Sequence, residues 1–213
     1  MFVSLADLQD ITRAGMMYVL SSMPDIEYRQ AVDKTEMMLH LKQHPDSIVV
    51  LDYTLFDLND IEELQVLSLR FPLVRWILFS VELSLDFVRQ LIGSGTQYSI
   101  LLKDSSLREV KECLTYALRG QRYICQHMTE QLLTPEVNAA KEEAKLTPTE
   151  TEILKDIAMG MTTKEIAEKR FSSFHTVNTH RKNIFHKLGV NNVHEATRYA
   201  LRSGLVDAAE YYI

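Results

Sequence analysis

Four polar residues close four short apolar runs: Asp7 after FVSLA, Asp52 after SIVVL, Ser80 after VRWILF and Lys103 after SILL. Runs apolar at nearly every position read as strands buried on both faces of a parallel sheet. Open α/β sheets carry their sites at the carboxyl ends of such strands. An aspartate flanked by a hydroxyl and an ammonium is equipment for an aspartyl phosphate, with Asp52 as nucleophile and Ser80 and Lys103 holding phosphoryl oxygens. A second acid, Asp7, would help bind Mg2+.

A second constellation is SSFHTVNTHRKNIFHKL, Ser172 to Leu188. On a helix turning about 100° per residue, Ile184 and Leu188 fall within roughly 20° of Val177 and form a buried stripe. His175, Asn178, Thr179, Lys182 and His186 fall on the opposite face, which bears no carboxylate. His175, His180 and His186 lack the i, i+4 spacing of a zinc helix, and no nucleophile or acid partner lies near them for catalysis. The preceding helix, TTKEIAEKRF, joins through a tight turn, so the pair reads as a helix-turn-helix whose polar face meets a DNA major groove.

The elements that must position these groups divide the chain. FVSLA, IEYRQAV, SIVVLD, VRWILFS and SILLK alternate with amphipathic segments ending in SLREVKECLTYALRG. Right-handed crossovers then give a flavodoxin-like, doubly wound (βα)5 domain over residues 1–122. Residues 123–145 read as a linker with a short helix near Thr129–Leu133. Residues 146–213 read as an all-α, four-helix domain. Thr147-Pro-Thr-Glu150, Thr162-Thr-Lys-Glu165 and Asn192-Val-His-Glu195 match the capping box or its Asn variant, and Ser173 can cap the third helix. Gly160, Gly189 and Gly204 stand where helices should stop.

Charge follows the same division. The chain carries −6 overall, yet residues 145–204 hold 10 Lys and Arg against 6 Asp and Glu, while residues 1–144 hold 13 against 21. A basic module on an acidic body points to two tasks. No apolar run approaches the ~20 residues that span a bilayer, and the N-terminus lacks a signal-peptide pattern. A cytoplasmic location is therefore expected, with Cys113 and Cys125 as ordinary thiols.

LTPTETEIL, GMTTKEIAEKRF, SFHTVNTHRKNIFHKLGV and EATRYALRSGL closely resemble the LuxR-type DNA-binding domain. Carried over by position, the resemblance implies that Asn178, Thr179 and Lys182 read base edges and that Lys164, Ser173 and Thr176 contact phosphates. VVLDYTLFDLND, WILFS and YSILLKDSS resemble the acceptor, hydroxyl and lysine segments of a response-regulator receiver. Together the halves resemble the NarL/FixJ class. That resemblance implies a sequence-specific transcription regulator, a homodimer on double-stranded DNA and a sensor histidine kinase as phosphodonor. It implies Asp52 as phosphoacceptor and Asp7 and Asp52 as Mg2+ ligands.

This sequence departs from the family pattern at Leu8, where a second acid usually stands, at Phe56 in place of proline, and at Ile100, where a switch aromatic is common. Leu8 leaves the Mg2+ set one ligand short, so two readings stay open: slow phosphorylation at Asp52, or a phosphorylation-independent pseudo-receiver. An enzyme of the haloacid-dehalogenase type is a further alternative. Its second Asp, two residues after the nucleophile, is here Thr54, which cannot shuttle protons near neutral pH.

Overall fold

The computed structural model describes residues 1–56, 58, 60–134 and 145–206. They belong to two compact units, Met1–Pro135 and Glu136–Ile213. In the first, strands β1 (Phe2–Ala6), β2 (Glu27–Gln30), β3 (Ile48–Leu51), β4 (Arg75–Ser80) and β5 (Tyr98–Leu102) alternate with helices α1 (Asp10–Ser21), α2 (Lys34–Gln43), α3 (Ile61–Arg70), α4 (Leu85–Ser94) and α5 (Leu107–Leu118). All neighbouring strands are parallel, in the order β2-β1-β3-β4-β5. Right-handed crossovers in that order place α1 and α5 on one face and α2–α4 on the other.

The burial of each strand follows its composition. β1, β3 and β5 are buried at every position, and β4 at all but Arg75. β2 is different: EYRQ forms an exposed edge, shorter than the IEYRQAV run. Charged side chains on an open edge discourage pairing with another chain. Asp33, Asp60, Ser84 and Ser106 each cap a helix by accepting an amide three residues on.

The start of the stretch read as linker belongs to this unit. Ile100 N–H donates to the Tyr123 carbonyl at 2.8 Å, and Cys125 N–H to the Ile100 carbonyl at 2.9 Å, which adds a parallel bridge at the edge of β5. Arg122 donates to the carbonyls of Ile92 and Gly95 at the end of α4. A helix α6 (Gln126–Leu133) follows, and its Met128 is buried in the sheet's core. Local composition could not show this, because the partners lie some 25 residues back, as in Tyr123 with Ser99 (24 apart). Cys113 and Cys125 are free and buried. Burial, then the neighbouring Cys125, pushes the Cys113 thiol well up, so it is inert.

The second unit holds α7 (Pro148–Ala158), α8 (Thr163–Lys169), α9 (Phe174–Leu188) and α10 (Val193–Arg202). Thr147 with Glu150 and Thr162 with Glu165 form complete capping boxes. Asn192 caps α10, while Glu195 accepts from the Asn191 amide. Ile153, Leu154, Ile157, Ile166, Val177, Ile184, Ala196 and Ala200 make one core.

Two buried acids tie these helices together. Asp156 accepts from Lys169 (2.8 Å) and Arg170 (2.5 Å). Glu150 accepts from Lys187 at 2.6 Å besides closing its cap. For both, burial opposes the charged form, but the donors outweigh it and hold the carboxyls below their ordinary values. Stability from Glu150 is therefore present above its ordinary value of 4.5 and is lost as pH falls through the lowered folded value. Glu150→Gln should destabilise the helical unit by about 1–3 kcal/mol at pH 7. In urea titrations repeated at lower pH, the gap to wild type should close below the carboxylate range.

Candidate phosphoacceptor site and nucleic-acid interface

The register of the sheet brings the four sequence-predicted groups to one edge. Ala6 of β1 pairs with Leu51 of β3, and Ser80 of β4 with Leu102 of β5. Asp7, Asp52 and Lys103 each stand one residue past their strands, and Ser80 is the last residue of its own. Lys103 Nζ lies 2.9 Å from Asp7 Oδ1 and 2.6 Å from Asp52 Oδ2, and it also donates to Gln9 Oε1 at 3.2 Å. Both carboxylate side chains have 0% exposure and the ammonium side chain 6%. Asp7 further accepts from the Gln9 amide at 2.9 Å and the Thr12 hydroxyl at 2.6 Å. Asp52 accepts from the Thr54 amide at 3.2 Å.

Electrostatics at Asp52 combine opposed effects. Burial raises its pKa, Lys103 lowers it and Asp7 raises it, and the balance pushes the carboxyl up to about 6. One ammonium shared by two carboxylates does not fully repay the desolvation of Asp52, although each contact is short. The Ser80 hydroxyl is buried and has no hydrogen-bond partner, and the same holds for the Thr54 hydroxyl. A buried hydroxyl without a partner is uncommon, because the lost hydrogen bond costs free energy.

Receivers in general use Mg2+, and the donor set here does not fit that ion. Leu8, at the usual position of a ligand, is 42% exposed and offers no oxygen. Asp10 is no substitute: it is the first residue of α1, exposed and ion-paired with Arg13. Asp7 and Asp52 are both engaged by Lys103. Among the described residues no group of three or more His, Cys, Asp or Glu could hold a metal ion. A small cation demanding near-octahedral oxygen coordination finds only two carboxylates, both already bound to one ammonium.

Sequence reasoning missed two features of this site. Gln9 and Thr12, which orient Lys103 and Asp7, carry no signal beyond their closeness to the first strand. Tyr98, two residues before the usual switch position, is buried and donates to Ser68 at 2.7 Å. Ile100, at the switch position itself, is wholly buried.

In the helical unit α9 buries the stripe expected of it except at its last member, Leu188, which is half-buried. Val177 and Ile184 are buried; His175, Thr179, Lys182 and His186 are exposed, and Asn178 is half-buried. Lys164, Ser173 and Thr176 are exposed too. Ser173 caps α9, accepting from the Thr176 amide at 3.0 Å, and its hydroxyl meets that of Thr176 at 2.8 Å. The apolar positions of α10 serve the unit's own core: Ala196 and Ala200 have 0% exposure and Val193 packs against them, which leaves Tyr199 at 41%.

Residues 144–200 match the family model of bacterial regulatory proteins, luxR family. The transcriptional regulatory protein LiaR of Bacillus subtilis is 31% identical over 211 residues, covering 96% of this chain and 99% of LiaR. The oxygen regulatory protein NreC of Staphylococcus carnosus is 27% identical over 218 residues, covering 97% and 100%. A solved structure of the Salmonella typhimurium response regulator RcsB shares the fold, with a TM-score of 0.56 at 21% identity over 93% of this chain and 97% of that one.

The ion-paired site predicts a stability effect. Lys103→Met would leave two buried carboxylates without their counter-charge and should destabilise the sheet unit by about 3–5 kcal/mol. Adding Asp52→Asn should recover part of that loss in urea unfolding, as coupled neighbours do. A receiver-type sheet ending in this acid-and-lysine cluster, a luxR-family helical unit and a full-length relative of the same build establish that the chain belongs to the NarL/FixJ class of response regulators, DNA-binding transcription regulators.

Proposed function

We propose that α9 enters the major groove of double-stranded DNA, with Asn178, Thr179 and Lys182 reading base edges and Lys164, Ser173 and Thr176 meeting phosphates. The observation that carries this is the exposed face of α9, which holds amide, hydroxyl, imidazole and ammonium groups and no carboxylate. Asn pairs with adenine, Lys donates to guanine and a threonine methyl packs on thymine. One such helix reads few base pairs, so the chain acts as a homodimer on half-sites roughly 10 base pairs, or a multiple, apart. Tyr199 is the residue of α10 left to support that dimer. The DNA-binding module begins near Leu146, and the junction between modules starts after α6 rather than at Tyr123.

The sheet unit is the receiver and Asp52 its phosphoacceptor, with Ser80 and Lys103 as partners of the phosphoryl oxygens and a sensor histidine kinase as donor in the cytoplasm. To accept the group, an Asp52 oxygen attacks the donor's phosphorus as the donor's leaving group departs. Lys103 must then serve the new phosphoryl oxygens while still facing Asp7. Without a complete cation site this single ammonium offsets the added charge, so phosphorylation is slow. The chain regulates rather than catalyses: Thr54 stands where a phosphohydrolase needs its acid, and it presents a backbone amide to Asp52.

Two experiments test these readings. Lys182→Ala should lower specific affinity by about 1–3 kcal/mol and relax base choice at one position. Lys164→Ala should weaken all duplexes alike and flatten the salt slope; equal losses on specific and random DNA for Lys182→Ala would remove it from the groove. For the receiver, intact mass after treatment with Mg2+ and a small phosphodonor should show a slow gain that Asp52→Ala abolishes. Leu8→Asp should raise Mg2+ affinity and quicken the gain, and wild-type protein as fast as that variant would sink the assignment.

A further inference from the structure

Among the described residues five helices end in the same hydrogen-bonded turn. After α5, α7, α8, α9 and α10, one amide bonds three residues back and the next bonds five back: Gly120 and Gln121, Gly160 and Met161, Phe171 and Ser172, Gly189 and Val190, Gly204 and Leu205. The first residue of each pair takes a left-handed backbone, the conformation glycine adopts at no steric cost. Four of the five are glycine. The exception is Phe171, at φ +49°, in the turn between α8 and α9.

Among the described residues nothing repays that conformation. Phe171 is 100% exposed. The following residue, which commonly packs back on the helix, does so at Met161, Val190 and Leu205, whereas Ser172 is exposed. The turn that leads into α9 therefore gives up both the relaxed backbone and the apolar contact that the other three helices of its unit have. A strained residue kept without internal benefit points to an external role.

The geometry points to Phe171 as an apolar contact to the sugar–phosphate backbone of duplex DNA, its ring lying on deoxyribose carbons beside the phosphates met by Ser173 and Thr176. This rests on the DNA reading above. Chemistry favours that partner: from Phe171 to Leu188 the chain has no Asp or Glu, and Ser172 and Ser173 on either side of the turn's exit are exposed hydroxyls. A contact to sugar carries no sequence information, so it anchors the turn and sets how deeply α9 sits.

The test uses the full chain with Phe171→Gly and Phe171→Asn, both suited to the left-handed turn, and two probes: a random-sequence duplex and a duplex that wild-type protein enriches from a random pool. Each variant should unfold at a higher temperature than wild type, because the strain is relieved. Each should nevertheless bind both duplexes about tenfold more weakly, the loss expected when a phenyl ring's burial is removed, with the salt slope unchanged because no charge is lost. Wild-type affinity in either variant, a loss confined to the enriched duplex, or failure of both variants to fold would overturn the assignment. If wild-type protein binds neither duplex, the DNA reading itself falls, a result distinct from these.

Discussion

The sheet unit depends on a single ammonium between two buried carboxylates. Lys103 lies within 3 Å of both Asp7 and Asp52, and three strands must end in register for this to occur. In a parallel sheet a slip of one residue turns each side chain to the opposite face. Asp7 or Asp52 would then enter the apolar layers that β1 and β3 bury on both sides. The requirement to neutralise two desolvated charges thus fixes the register at the end of the sheet where the chemistry resides. Gln9, Thr12 and the Thr54 amide add further hydrogen bonds to the two carboxylates.

Much of this is legible in the sequence. Strands buried on both faces announce themselves by unbroken apolar runs, and the capped helices by Thr147, Thr162, Ser173 and Asn192, because both signals are local. Edge strand β2 is shorter than the IEYRQAV run suggests, since an exposed edge has no apolar run to mark its ends. The role of Tyr123–Leu133 was hidden for a different reason: its bonds reach back to Ile100 and Ser99, and no local period encodes a partner that distant. Asp7, Asp52, Ser80 and Lys103 could be named from strand ends alone. That Lys103 bridges both acids could not, since the pairing spans 96 and 51 residues.

The two units handle charge in opposite ways, and the difference matches their tasks. In the sheet unit burial and the nearby Asp7 raise Asp52 against the opposing pull of Lys103, and the carboxyl is pushed up to about 6. In the helical unit Glu150 and Asp156 are also buried, but each is overmatched by donors and held low. These acids join helices, Asp156 tying α7 to the end of α8 and Glu150 tying it to α9.

That sorting of charge explains how an acidic chain can meet an anionic polymer. Salt-dependent attraction to DNA is set by the local field within about a Debye length, ~8–10 Å, rather than by the total charge. The carboxylates nearest the core of the helical unit are neutralised from within by Lys169, Arg170 and Lys187. The exposed acids of α8, Glu165 and Glu168, belong to the helix before the turn, and Glu165 is committed to the Thr162 cap. The outward face of α9 is left to imidazole, amide, hydroxyl and ammonium groups. Had Glu150 and Asp156 faced solvent, each would have added uncompensated negative charge to the unit that bears α9. Burying them against cations strengthens the fold and clears the field around α9 at once.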